Sequence, residues 1–470
     1  MDRPNIVFFF ADDQRFDTIH ALNNPEILTP NLDRLVKRGT VFTNAYIMGG
    51  SCGAVCMPSR AMLHTGRTLY HIERQGQNIP EEHILLGELL QREGYISFGT
   101  GKWHNGTRSY ARSFNAGAEI FFGGMSDHWN VPACDYDPTG EYRPKPKIEN
   151  PARSNKVTWW LCDHIKAGKH SSDLFADATI DFLERYEGDR PFFAYVSFMA
   201  PHDPRSMPER FLRMYDPEAI KLPENFMPEH PFDNGWMRGR DELLAGFPRT
   251  EGEIRRHIAE YYAMISHLDD AIGRVIDKLE ELGLLENTVI LFSGDNGLAV
   301  GQHGLMGKQN VYDHSVHVPL IFAGPGIPQN ERREAFVYLL DIFPTLCDLL
   351  GIEIPDTVEG KSLVPALKNP SEPIRQYLHF AYEGLHRGIR DRRYKLIEYV
   401  VGGVHVKTQL FDLVNDPRET TNLADDPRYA GILARLRREL RRGWLEDYGD
   451  TQEQGRSFWK AFDASVGEMR

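Results

Sequence analysis

The sequence predicts an α/β protein: a large mixed, mostly parallel sheet sandwiched by helices, followed by a smaller C-terminal α+β domain of antiparallel sheet plus helix. Three observations carry this. Short β-branched and aromatic runs alternate with longer amphipathic stretches. At 470 residues the chain is long enough for a large core with an appendage. The pattern changes character after about residue 372, which sets the expected domains at 1–372 and 373–470. In chain order, "NIVFFFA" reads as a buried strand and "TPNLDRLVKRG" and "HILLGELLQREG" as helices that stop at glycine. "YISFGTG" is the next strand, then "SDLFADATIDFLERYEG" a helix and "PFFAYVSFM" a strand. The long helical pattern "TEGEIRRHIAEYYAMISHLDDAIGRVIDKLEELG" precedes two more strands, "NTVILFSG" and "VPLIFAG". Two regions, 105–170 and 200–248, lack clear periodicity, and irregular segments of that length commonly carry specificity. After residue 372, "YLHFAYEGLHRGIRDRRYKLIEYV" and "KTQLFDL" read as a small antiparallel sheet, and "DPRYAGILARLRRELRRGWLEDYG" as a charged terminal helix.

Composition excludes several classes. Lys plus Arg total 54 and Asp plus Glu total 67, a net charge of -13, which argues against general binding to nucleic acid or an anionic membrane while allowing a local basic pocket. Five scattered cysteines (52, 56, 134, 162 and 347) cannot frame a disulfide-built fold, and an odd number leaves at least one unpaired. The apolar run Ile6 to Ala11 is short for a signal-peptide core, and no run approaches the ~18 residues of a membrane span. The chain as given is therefore expected to be cytoplasmic, although trimming a leader from a precursor would leave the same sequence.

Ligands of open α/β sheets sit beyond the carboxyl ends of strands. Two strands end conspicuously: "NIVFFFADD" delivers Asp12 and Asp13, and "NTVILFSGDNG" delivers Asp295 and Asn296. Three carboxylates and one amide oxygen brought together repel unless a hard divalent cation holds them, and oxygen-only ligation suits Ca2+, with Mg2+ or Mn2+ as alternatives. Each pair alone also fits a helix or turn cap. Other strands are followed by Lys102 and His104 in "FGTGKWH" and by His202 in "SFMAPHDP"; His303 and Lys308 stand in "GQHGLMGK". Lysines just past buried strands call for an anion, and a tetrahedral oxyanion satisfies them. Taken singly, His104, His202 and His303 also fit hydrogen-bonded structural histidines. His128, in "GGMSDHWN", stays outside the expected core site.

The stretch "SCGAVCMPSRAMLHTGR" runs Cys56, Met57, Pro58, Ser59, Arg60, then Thr65, Gly66, Arg67. With "PNIVFFFADDQ", "GKWH", "APHDP", "SGDNG", "GKQNVYDHSVHVPLIF", "RRYKLI" and "QLFDLVNDPRETTNLA", it resembles the type I formylglycine-dependent sulfatases of the alkaline phosphatase superfamily, over nearly the whole chain. The resemblance implies an alkaline phosphatase-like fold and oxidation of Cys56 to formylglycine by a formylglycine-generating enzyme. It implies a metal held by Asp12, Asp13, residue 56, Asp295 and Asn296, and an Arg60 that holds the formylglycine oxygens. His104 would take a proton from the second hydroxyl. Lys102, His202 and Lys308 would bind the sulfate oxygens, with His202 or Lys308 protonating the departing alcohol. His303 would line the pocket. Cys52 lies outside the motif and reads as structural. The implied reaction is hydrolysis of a sulfate ester of a small molecule or a saccharide. Phosphonate monoester and phosphodiester hydrolases of the same superfamily resemble a site with histidine where this chain has Asn296; an amide oxygen suits Ca2+, so Asn296 favours sulfate esters. A calcium-binding pseudoenzyme with an unmodified cysteine is the remaining alternative. Neither the substrate nor the oligomeric state is written in any motif.

Overall fold

The computed structural model describes residues 3–150 and 152–467. Its strands in chain order are β1 (Asn5–Ala11), β2 (Gly39–Tyr46), β3 (Gly49–Gly50), β4 (Ile96–Lys102), β5 (Ala116–Phe121), β6 (Lys145–Ile148), β7 (Val157–Trp160), β8 (Phe192–Ser197), β9 (Thr288–Gly294), β10 (Leu320–Ala323), β11 (Glu331–Tyr338), β12 (Leu378–Tyr382), β13 (His386–Arg390), β14 (Tyr394–Val401) and β15 (Val404–Asp412). Eight form the main sheet, in the order β11-β2-β10-β9-β1-β8-β4-β5. Its central strand β1 is parallel to both neighbours, β8 and β9, and is buried along its whole length. A strand covered on both faces by helices reads as a continuous apolar run, which is why "NIVFFFA" shows no alternation. Its side chains still alternate in space: Ile6, Phe8 and Phe10 enter one core, Val7, Phe9 and Ala11 the other.

The five expected strands are present as β1, β4, β8, β9 and β10. Strand β10 runs antiparallel to β9 and β2. A parallel return needs a crossover, usually a long helix, whereas the connection from β9 to β10 holds only the short helix Asp313–Val316. The sheet also contains β2, β5 and β11, which the apolar runs did not reveal. Strand β11, at the sheet edge, opens on the polar "ERRE", exposed at Glu331, Arg332 and Glu334, and the first half of β5 is only half-buried. Four expected helices are found at Pro30–Arg38, Leu86–Arg92, Ser171–Glu184 and Glu251–Glu281. The last starts where the Thr250 side chain accepts from the Glu253 N–H, an N-cap that satisfies one of the free donors of its first turn.

The second sheet has the order β15-β14-β13-β12-β3. Strands β12 to β15 are an antiparallel meander, but β3 is drawn from far upstream and pairs in parallel with β12. Gly49 adopts φ +99°, and a Cβ there would lie 1.9 Å from the Ala381 carbonyl oxygen, so only glycine permits the pairing. The C-terminal segment holds two α-helices, Ala430–Arg442 and Glu453–Val466, where the sequence suggested one. Gly449 at φ +67° lies in the turn between them. One apolar core runs from Phe8 and Phe10 through Phe380 and Leu396 to Trp444 and Phe458, so the second sheet and the terminal helices pack on the same core as one face of the main sheet. Among the described residues no helix is long and apolar enough to cross a membrane.

The terminal helices are pinned by a buried ion pair. Arg387 on β13 donates to Asp450 through Nε (2.7 Å) and Nη2 (2.9 Å), and the Trp459 indole N–H donates to the same carboxylate at 2.8 Å. Both charged side chains are fully buried. Removing one partner leaves an uncompensated charge, so Arg387→Ala should destabilise the protein by about 3–5 kcal/mol. Denaturant unfolding checks this; a loss below about 1 kcal/mol would show that water or a rearranged partner reaches Asp450.

Candidate active site

The adjacent strands β1 and β9 end in register, Ala11 opposite Gly294, so the residues that follow are forced side by side. The Asp13 N–H donates to Asp295 Oδ1 at 3.1 Å, and Asn296 Nδ2 donates to Asp13 Oδ1 at 2.6 Å. Asp13 turns with φ +68°, a conformation a non-glycine residue adopts at a cost. On the other side of β1, strand β4 supplies Lys102, whose Nζ donates to Asp12 Oδ2 at 2.5 Å and lies 3.6 Å from Cys56 Sγ. His104, also left-handed at φ +72°, brings Nδ1 to 3.4 Å from the same sulfur. Cys56 is the first residue of a helix, Cys56–Thr65, that ends at Gly66 with φ +65°.

One turn into that helix, Arg60 is fully buried and reaches four groups. Its Nε donates to Asp295 Oδ2 at 2.9 Å, and its Nη1 to the Lys102 carbonyl at 2.9 Å and to Ser197 Oγ at 2.6 Å. Its guanidinium also stacks 5.1 Å from the centre of the Phe10 ring. The preceding Ser59 hydroxyl donates to the Asp295 carbonyl at 2.6 Å. Lys308 Nζ donates to Asp13 Oδ1 at 2.5 Å, and His202 Nε2 lies 3.7 Å from Asp13 Oδ2. Thus Asp12, Asp13, Cys56, Arg60, Lys102, His104, His202, Asp295, Asn296 and Lys308 form one buried cluster. His303 does not join it. Its Nε2 shares a hydrogen bond with the Glu419 carbonyl at 3.0 Å, and its ring stacks on Tyr312 at 4.0 Å, which packs it against Tyr312 and the C-terminal segment.

His128, a weaker pocket candidate in the sequence, stands behind the site: its Nε2 pairs with the His202 carbonyl (2.9 Å) and its Nδ1 with Ser171 Oγ (2.7 Å), steadying the turn that carries His202. Other contributors were not singled out from sequence. Ser197 ends β8, and the same rule that found Lys102 could have found it. Asp241 and Glu242 come from the irregular 200–248 region. Glu242 accepts from the Met306 and Gly307 N–H groups at 2.9 and 3.0 Å and from Arg249 Nη2 at 2.7 Å. Gln309 donates through Nε2 to Asp241 Oδ2 (2.8 Å) and to the Gly53 carbonyl (3.0 Å). These bonds fasten the loop that carries Lys308.

The electrostatics show a crowded set of acids. Burial drives the Asp12 carboxyl up, but the charges of Lys102, His202, Lys308 and Arg60 outweigh it and hold the group well below the usual carboxylate range. Burial and repulsion from Asp12 lift Asp295 to about 7, against the pull of Arg60. Burial, with Lys102 and Arg60 nearby, keeps His104 well below its ordinary value, which favours the neutral imidazole. The Cys56 thiol is pushed up by burial despite Lys102 and Lys308, which disfavours a thiolate. Ligand atoms of Asp12, Asp13 and His202, and of Asp12, Cys56 and Asp295, lie within 4.8 Å of one another. The buried Asp12 Oδ1 and Asn296 Oδ1 accept no hydrogen bond from the protein. Unpartnered buried oxygens beside carboxylates that repel one another fit a divalent cation, and the donor chemistry is hard.

Comparison with known proteins agrees with this geometry. The family model "Sulfatase" matches residues 4–352, and the model "N-sulphoglucosamine sulphohydrolase, C-terminal" matches residues 301–444. An ulvan-active sulfatase of Formosa agariphila is 30% identical over 488 aligned residues, covering 100% of this chain and 86% of the relative. An N-acetylglucosamine-6-O-sulfatase of Bacteroides thetaiotaomicron is 24% identical, covering 96% and 88%. The solved phosphonate monoester hydrolase of Agrobacterium radiobacter superposes with a TM-score of 0.72 at 26% identity, covering 93% and 95%. A family model spanning most of the chain, a relative aligned along the whole of this chain and an alkaline phosphatase-like architecture lead to one conclusion: the chain belongs to the sulfatase family, the sulfuric ester hydrolases.

Proposed function

We propose that this sulfatase cleaves the sulfate ester of a sulfated saccharide, using a formylglycine made from Cys56 and a Ca2+ ion, with Mg2+ or Mn2+ as alternatives, held by Asp12, Asp13, Asp295 and Asn296. The observation that carries the reading is the buried convergence on Cys56 of Lys102, His104, Asp12 and Asp295. A protonated thiol would be a poor nucleophile there, and a sulfur adduct would be a poor route to free sulfate. The hydrated aldehyde of formylglycine would supply an oxygen nucleophile and a second hydroxyl through which sulfate is released, and the cation would supply Lewis acidity toward that oxygen and the sulfate. Cys56 Sγ stands in for the oxygens of the modified residue.

The remaining chemistry belongs to the side chains. His104 Nδ1, facing residue 56 and neutral, takes the proton of its second hydroxyl. Lys102 and Lys308 neutralise charge on the sulfate oxygens in a dry pocket where each cation counts for more than in water. His202 shares its Nδ1 with the Asp203 carbonyl at 2.8 Å, which orients the ring, while Nε2 makes no protein hydrogen bond and is free for the leaving oxygen. Arg60 holds Asp295 and the Lys102 carbonyl in place. The saccharide part of the reading rests on carbohydrate-named comparisons, among them the N-acetylglucosamine-6-O-sulfatase relative and the N-sulphoglucosamine sulphohydrolase C-terminal model. Phosphonate monoester hydrolysis is the second reading, favoured by the Agrobacterium radiobacter structure.

Coexpression with a formylglycine-generating enzyme should lower the mass of the peptide carrying Cys56 by ~18 Da, the difference between thiol and aldehyde. Full activity with an unmodified thiol would rule out the mechanism. Elemental analysis should find about one Ca2+ or Mg2+ per chain, with chelation abolishing turnover; a stoichiometric Zn2+ required for activity would contradict the ligand set. Lys102→Ala and Lys308→Ala should each cost on the order of 3 kcal/mol, ~10²-fold in kcat/KM for sulfate esters. Measured on sulfate and phosphonate esters of one phenol, a wild-type preference for the phosphonate ester would transfer the assignment to the second reading.

A further inference from the structure

The sulfate half of an ester bound in the cluster is surrounded by charge, and the alcohol half has to leave through the side that is open. Arg60 and Asp295, both fully buried, close the site toward the core. On the other side His104 is half-buried, as are Cys52, Gly53 and Ala54 in the loop before Cys56. The segment that meets this loop comes from the irregular 200–248 region. A Cβ at Gly53 would lie 3.2 Å from Trp236 Cζ2 and 4.0 Å from Tyr382 Oη, so glycine lets the indole close on the loop.

Asp241 stands at this opening. It is 5% exposed; its Oδ2 accepts from Gln309 Nε2 at 2.8 Å, and the same Nε2 reaches the Gly53 carbonyl at 3.0 Å. A Cβ at Gly307 would lie 3.2 Å from Asp241 Cβ, so the acid packs against the residue before Lys308. Burial raises its carboxyl, but the charges of Lys308 and then His202, with the Gln309 bond and Arg240, hold it below the ordinary carboxylate range. The lysine given to a sulfate oxygen and the histidine given to the leaving oxygen therefore lie close enough to Asp241 to dominate its charge.

Fastening the Lys308 loop uses Oδ2 alone. Beside Oδ1 stands Arg240, whose Nε stays at 3.7 Å, too far for a hydrogen bond. A donor is also left over at the same opening: Trp236 Nε1 is buried without a partner, 2.6 Å from where a Cβ on Gly239 would be. An unused acceptor beside unused donors calls for a ligand group that both gives and accepts a hydrogen bond. A hydroxyl does both. An ammonium only donates, whereas a second sulfate or a carboxylate only accepts and would meet the Asp241 charge. We propose that Asp241 is a substrate-binding residue for the alcohol half of the ester, its Oδ1 accepting a hydrogen bond from a free hydroxyl that neighbours the sulfated carbon of a saccharide. This rests on the sulfatase reading above and deepens it: the substrate is a sugar monosulfated at this end, and one with a second anionic group next to the ester is disfavoured by the same carboxylate.

Asp241→Asn separates this role from loop fastening. Asparagine has the same shape, and its carbonyl oxygen can keep the Gln309 bond, which puts an N–H where the open acceptor was. Formylglycine-bearing enzyme is assayed on 4-nitrophenyl sulfate, which has no hydroxyl, and on a panel of hexose and N-acetylhexosamine monosulfates. Each monosulfate is run beside the analogue lacking a hydroxyl next to the ester. In the wild type the best monosulfate should exceed its deoxy analogue ~10- to 10²-fold in kcat/KM, the range for a hydrogen bond to a charged group. In Asp241→Asn that gap should shrink to under about threefold, and saccharide sulfates should lose about tenfold more than 4-nitrophenyl sulfate does. The inference would be overturned by a wild type indifferent to the deoxy change, by one that prefers disulfated sugars, or by one that turns over the aryl ester and no monosulfate. A gap that persists in the variant, or an equal loss on aryl and saccharide esters, would also overturn it and leave Asp241 to the Lys308 loop alone. The wild-type comparison stands whether or not the variant folds. A wild type inactive on every sulfate ester, 4-nitrophenyl sulfate included, would overturn the sulfatase reading itself.

Discussion

Three carboxylates, Asp12, Asp13 and Asp295, are held together away from water, and the rest of the site is arranged around their repulsion. Left alone, such a cluster would take up protons or expand. Here Lys102 meets Asp12, Lys308 meets Asp13 and Arg60 meets Asp295, one cation for each acid. Burial and repulsion from Asp12 still push the Asp295 carboxyl up against the pull of Arg60. The proposed divalent cation would offset that repulsion.

The fold supplies the confinement. Parallel neighbours β1 and β9 end at the same level, which puts their acids side by side, and β4 and β8 end beside them with Lys102 and Ser197. Buried on both faces, these strands cannot slide without moving a large apolar core, so the end positions are held by packing rather than by the charges themselves. The helix that begins at Cys56 is anchored from a different direction. Its preceding loop leaves β3, which is an edge of the second sheet, so the C-terminal sheet reaches into the site through two glycines. Lys395 on β14 repeats the theme on the far side of the Lys308 loop, where it meets Asp313 and Glu419 at 2.7 Å each, fully buried.

The central strands and the long helices were legible because burial on both faces leaves an uninterrupted apolar run, and an amphipathic helix leaves a periodic one. Strands β2, β5 and β11 were not, since edge and near-edge strands mix polar and apolar residues as their surroundings demand. Ten of the eleven candidate site residues fall in one cluster because strand ends and short motifs place them locally. His303 looked equivalent, one residue in a "GQHGLMGK" run that also holds Lys308, yet it points to Glu419 and Tyr312. Spacing along an irregular loop carries no direction, so only the folded path separates the two.

By itself the sequence determined the central parallel strands, the acids and cations at their ends, and the Cys56 motif, because each depends on residue type within a few positions of the chain. Tertiary structure alone decided which acid pairs with which cation, the antiparallel turn of β10, the reach of β3 into the second sheet, and the hold of Asp241 and Glu242 on the Lys308 loop. Those features are contacts between segments tens to hundreds of residues apart. Their energies come from burial and charge proximity in space, and no local window of sequence contains them.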